Sequence, residues 1–333
     1  MQAMYIWAYY IWRPWYPVNL APAYTTLVSF NPLSPVFINS AILVIGIVTA
    51  MILLRHRWPL GLTLVMCHLF LLIPVLGIFE HPHYPCDRYS LIVSILWSVL
   101  MAAWLAHPKM KTLTFRISLV LSIVVITTLG LLTFRQTHVW TNSKTLFAHT
   151  IKTLNGDAYS SDIYRRLGNV YQLEGNKEEA IRLFENAVRI NEAFKTNAGL
   201  AEIHANLGMA YAQLGKYEQA LHNLTKSLGL DPNNVDALNN LAWLLATRAE
   251  VSAEDANKAI GFAEKVCKLT EYKKPEFLDT LAATYAAVGR FDDAVNKASQ
   301  AIEIAKANGK KDLAREIQNR QDLYRTARPY REK

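Results

Sequence analysis

The ten residues HPHYPCDRYS, His81 to Ser90, place two histidines, a cysteine, an aspartate and an arginine between two long apolar runs. Three chemistries fit these residue types. His81, His83 and Cys86 offer nitrogen and sulfur ligands to zinc or copper, but three ligands within six residues, broken by Pro82 and Pro85, match no recognised spacing. Asp87 beside either histidine has the composition of an acid/base pair, although residue type alone positions no proton. In the third reading the stretch is a rigid loop between membrane helices. Asp87 or Arg88 then caps the helix that follows, Arg88 meets phosphate bidentately, and Tyr89 anchors at the lipid interface. The third reading is preferred and the metal reading is the weakest, so neither a metal nor a cofactor is expected. No GxSxG, phosphate-cradling glycine loop or HExxH occurs elsewhere in the chain.

The elements around that loop follow from composition. The first 135 residues hold eight Lys/Arg and two Asp/Glu, and the remainder holds 27 and 25. The basic excess therefore sits in the apolar half, where it reads as topology-setting charge; with no basic run or lysine-rich face, nucleic acid is not an expected partner. Four apolar runs, at about 36–54, 58–79, 90–106 and 117–134, approach the roughly 20 residues that cross a bilayer core of about 30 Å. Pro74 is positioned to kink the second, and His68 within it is expected to face other helices. The aromatic start, MQAMYIWAYYIWRPWYP, lacks a signal peptide's basic region and cleavage site, and suits an interfacial segment with Trp7, Trp12 and Trp15 at headgroup depth. Arg55, Arg57, Lys109, Lys111 and Arg116 lie in the first and third connections, against Arg88 alone in the second. This asymmetry predicts those two connections on the cytoplasmic side, and the loop at 80–89 with everything after Arg135 on the opposite side. Cys67, Cys86 and Cys267 stand too far apart for a disulfide framework or a zinc ribbon.

From Ser161 the sequence repeats. Leu167, Gly168, Tyr171, Gly175, Ala180, Phe184 and Ala187 recur forty residues later as Leu207, Gly208, Tyr211, Gly215, Ala220, Leu224 and Ser227. This is the tetratricopeptide pattern of paired helices that meet through small residues. Units are predicted at 161–192, 201–234, 235–271 and 275–308, the third with extra residues in its turn. A half-unit or linker at 141–160 precedes them, and a capping helix and tail at 309–333 follow. The first helices of such units line a concave groove. Asn206 and Asn240, one position before the Leu of the second and third units, and Asn169 in the first, offer both donor and acceptor to an extended peptide. The fold class expected is all-α: a partial membrane helix bundle followed by a repeat superhelix.

The order of PVNLAP with Tyr24, a span, PVLGIF, DRYS at Asp87 to Ser90, two more spans and tetratricopeptide units resembles the transmembrane and tetratricopeptide-repeat O-mannosyltransferases and their bacterial relatives. The resemblance implies a glycosyltransferase of the GT-C type that uses a polyprenyl-phosphate sugar, with repeats engaging the acceptor protein outside the cytoplasm. It implies that Asp87, Arg88 and Tyr89 shape the face where the lipid-linked donor sits. The family's catalytic acids lie in a first outer loop, ahead of segments matched here, so none is carried over. Two functions follow as expectations. The first is a membrane-anchored protein of a bacterial inner membrane, presenting a peptide-binding superhelix to the periplasm. The alternative is part of such a transferase, inactive without further spans.

Overall fold

A computed structural model of the chain describes residues 1–16, 18, 20, 31–76, 90–106, 111–154 and 157–332. The chain divides into two compact units, Met1–Ser160 and Ser161–Lys333, and every regular element among the described residues is a helix.

The first unit contains α1 (Gln2–Trp12), α2 (Pro35–Leu54), α3 (Pro59–Leu72), α4 (Ser90–Leu105), α5 (Thr112–Thr137) and α6 (Ser143–Leu154). Two helical stretches, Pro35–Leu54 and Thr112–Trp140, are long and apolar enough to cross a membrane, while α3 and α4 are shorter. Within the expected span at 58–79, α3 stops at Leu72 and Pro74 falls in the 3₁₀ turn Ile73–Val75, while residues 77–79 lie outside the described residues. Proline has no N–H for the α-ladder, and its ring crowds the preceding turn.

α1 is packed among other helices: Ile6, Trp7 and Tyr10 are 1%, 2% and 0% exposed, in one cluster with Phe37, Leu72, Val75 and Val93. Trp12 and Trp15 stay exposed. His68 is buried with its ring edge-on to Trp7, the centroids 5.5 Å apart. In α5 the usual order is inverted: Ser118 and Ser122 are the buried residues, while Leu119, Val120, Leu121, Ile123 and Val124 are exposed.

The second unit stacks helix pairs: α7 (Ser160–Leu173) with α8 (Lys177–Ala193), α9 (Leu200–Gln213) with α10 (Tyr217–Leu230), α11 (Val235–Thr247) with α12 (Ala253–Leu269), and α13 (Pro275–Ala287) with α14 (Phe291–Ala307). A closing helix, α15 (Lys311–Arg325), packs on α14. Amphipathic sequences with acidic first turns, such as Glu178 and Glu179 in α8 or Asp292 and Asp293 in α14, start these helices against the macrodipole. Asn176, Asn234 and Ser252 cap three of them by accepting from backbone N–H groups.

Volume is exchanged across each pair. A Cβ built on Gly168 would lie 2.5 Å from the Phe184 ring, and one on Gly208 would lie 2.5 Å from Leu224 Cγ. The glycines thus face the large residues of α8 and α10 rather than Ala180 alone. In the third and fourth units the first-helix position is Ala242 or Ala282, and the residues at the register of Phe184 and Leu224 are Ala263 and Ala298, all four 0% exposed. Glycine thus faces a large side chain in the first two units, and alanine stands at both positions in the later two.

This pairing predicts a coupled response. Gly208→Ala should destabilise the chain by ~1–3 kcal/mol through overpacking, even though Ala gains ~1 kcal/mol over Gly within a helix. Leu224→Ala alone should cost ~2–5 kcal/mol. The double variant, which reproduces the alanine pairing of the later units, should fall short of the summed losses by at least ~1 kcal/mol in denaturant melts; strict additivity would refute the packing assignment.

Candidate functional site

The first helices of successive units lie side by side, and residues four apart on each project from one face. On α7 these are Arg165 and Asn169, and on α9 they are Glu202 and Asn206. Two polar rungs connect the helices. Arg165 Nη1 pairs with Glu202 Oε2 at 3.1 Å, and Asn206 Nδ2 donates to Asn169 Oδ1 at 2.9 Å. The rungs border an open polar hollow of about 360 Å³, completed by Asp231, Asn233, Asn234, Val235 and Asp236 at the approach to α11.

The electrostatics hold the rungs in place. Asp162 receives Arg165 Nη2 and Arg166 Nε, each at 2.6 Å. Partial burial pushes its carboxyl up, but the Arg166 and Arg165 guanidiniums outweigh this and hold it below the ordinary carboxylate range. Arg165 therefore bridges two carboxylates and is fixed in orientation. The Asn169–Asn206 bond uses one donor and one acceptor of the two amides, and each retains further capacity toward a main chain. Nearby, Tyr211 donates to Glu185 at 2.6 Å, and burial together with that bond raises its phenol to about 12.

Of the three amides predicted, the structure brings Asn169 and Asn206 together. Asn240 does not line the hollow; Asp236, one turn earlier on α11, does. The Arg165–Glu202 rung was missed by sequence reasoning, although the four-residue spacing on both helices carries the signal. His81, His83, Cys86, Asp87, Arg88 and Tyr89 lie outside the described residues. Among the described residues no group of three His, Cys, Asp or Glu could hold a metal ion.

Residues 159–233, the first two helix pairs and their flanks, match the family model of the tetratricopeptide repeat. The chain carries tetratricopeptide repeats. It is similar to the photosystem I assembly protein Ycf3 of Acaryochloris marina (strain MBIC 11017), 31% identical over 108 residues, which is 32% of this chain and 63% of that protein. It is also similar to the BBSome complex member BBS4 of Bos taurus, 29% identical over 87 residues, or 26% of this chain and 16% of that one. The chain thus spans less than two thirds of the length of either relative. Among solved structures, MamA is matched at 19% identity and TM-score 0.39, covering 53% of this chain and 88% of that one. YrrB, described as a TPR protein with an unusual peptide-binding site, is matched at 19% identity and TM-score 0.38, covering 53% and 81%. These two likenesses carry no argument about function.

Proposed function

We propose that the chain is a membrane-anchored tetratricopeptide-repeat protein whose first helices hold an extended peptide of a partner protein on the extracytoplasmic side. The observation that carries the peptide reading is the pair of bonded amides, Asn169 and Asn206, beside a hollow lined mostly by polar groups. Main-chain amides of an extended peptide offer the complementary donors and acceptors, and stacked repeats present a continuous face along which such a peptide lies. Membrane anchoring is supported by α5, whose buried residues are serines and whose exposed ones are apolar. That order suits lipid, where small polar side chains mediate helix contact, and costs heavily in water. The basic residues of the first and third connections support the orientation. A transferase role, with Asp87, Arg88 and Tyr89 near a polyprenyl-phosphate sugar, rests on family resemblance alone.

Peptides selected from a random-sequence phage library on the full chain in nanodiscs provide the test. Asn169→Ala and Asn206→Ala should each weaken the selected peptides by ~5–10-fold, the ~1–1.5 kcal/mol of a lost hydrogen bond, without lowering the melting temperature. Unchanged affinity in both variants would remove the groove assignment. Orientation is tested separately by placing a cysteine at exposed Lys226 on α10 in a chain lacking its native cysteines. A membrane-impermeant maleimide should label it from outside the inner membrane, and labelling from the cytoplasm alone would reverse the topology.

A further inference from the structure

In three of the four units the turn between paired helices seals the end of the first helix. Gly175, Gly215 and Gly289 adopt left-handed backbone with φ of 82°, 71° and 80°. The N–H of the next residue then returns to Tyr171, Tyr211 and Tyr285 carbonyls at 2.9, 3.0 and 2.9 Å, satisfying acceptors that a helix end otherwise leaves open. α11 has no such turn. It ends at Thr247 with Arg248 extended at ψ 160°, and α12 does not begin until Ala253.

Its end is met from elsewhere. Arg331 Nη1 donates to the Ala246 carbonyl at 2.7 Å, and the Glu332 N–H donates to the Thr247 carbonyl at 2.8 Å. The Tyr330 ring lies 5.7 Å from that of Trp243 on α11. The Arg320 guanidinium sits over both rings, at 5.5 and 5.7 Å, and is fixed from behind by Asp279 at 2.8 Å. Trp243 and Asp279 stand on first helices, the face that also bears Asn169 and Asn206.

We infer that this slot at the end of α11 is a second peptide-binding site, that its ligand is an extended segment carrying an aromatic residue followed by arginine, and that Tyr330, Arg331 and Glu332 are its built-in occupant. The slot's parts are preset by α11, α13 and α15, whereas the occupant follows α15 after a short non-helical stretch. Its contacts are those an extended peptide makes: one main-chain N–H, one guanidinium and one ring. A tethered segment this close has an effective concentration on the order of millimolar, so it excludes a micromolar competitor of the same chemistry. The site is distinct from the Asn169–Asn206 hollow and does not depend on that reading.

The test uses a fluorescein-labelled synthetic peptide of residues 326–333 against the full chain and against the double variant Tyr330→Ala/Arg331→Ala, with folding checked by circular dichroism. The peptide should bind the double variant at least tenfold more tightly than the parent, and saturating peptide should raise the melting temperature of the variant but not of the parent. Adding Trp243→Ala should lose that binding at least tenfold, and adding Asn206→Ala should leave it unchanged. A folded double variant that binds the peptide no better than the parent, or binds a scrambled peptide equally well, would overturn the proposal.

Discussion

The close approach of two helices at residues 168, 208, 242 and 282 is the constraint on which the repeat unit depends. In the first two units glycine leaves the space that Phe184 and Leu224 fill, and in the later two small buried alanines stand at both positions. Once closed, each pair sets its first helix at a fixed distance from the next, and side chains four residues apart on neighbouring helices fall opposite one another. The Arg165–Glu202 and Asn169–Asn206 rungs are consequences of that spacing. A face built this way is rigid before any ligand arrives, which lowers the entropy lost on binding.

In the first unit one helix departs from the usual burial order. There Trp7, Tyr9 and Tyr10 of α1 are buried with residues of α2, α3 and α4, while α5 turns serines inward and branched aliphatic residues outward. In water this would expose a broad apolar surface; in lipid it leaves the helix contacts to small and polar groups. The inversion is confined to α5, since Ile6, Phe37, Leu72 and Val93 of the same unit form an apolar core.

What could be read from the sequence was whatever depends on local period. Leu167, Gly168, Ala180 and Phe184 recur at fixed offsets because each unit packs on itself, so the helices and their order were legible. The third unit's longer turn was visible too, but not its consequence, since the groups that satisfy Ala246 and Thr247 lie 85 residues further on, in the case of Arg331 and Glu332. The burial of Trp7 was not legible, because an aromatic-rich start has the same composition whether its rings are exposed or packed inside a bundle. Asn240 matches Asn206 in register, yet the hollow extends to Asp236, one turn earlier on α11. A long-range contact carries no period, and a shared residue type carries no direction.

Hydrogen–deuterium exchange of the full chain in nanodiscs, with and without a selected peptide, tests the central claim that ligands lie along the first helices. Protection should appear in α7 and α9 and leave α8 and α10 unchanged. Protection confined to α8 and α10, with α7 and α9 exchanging as before, would place the ligand on the other face and contradict the claim.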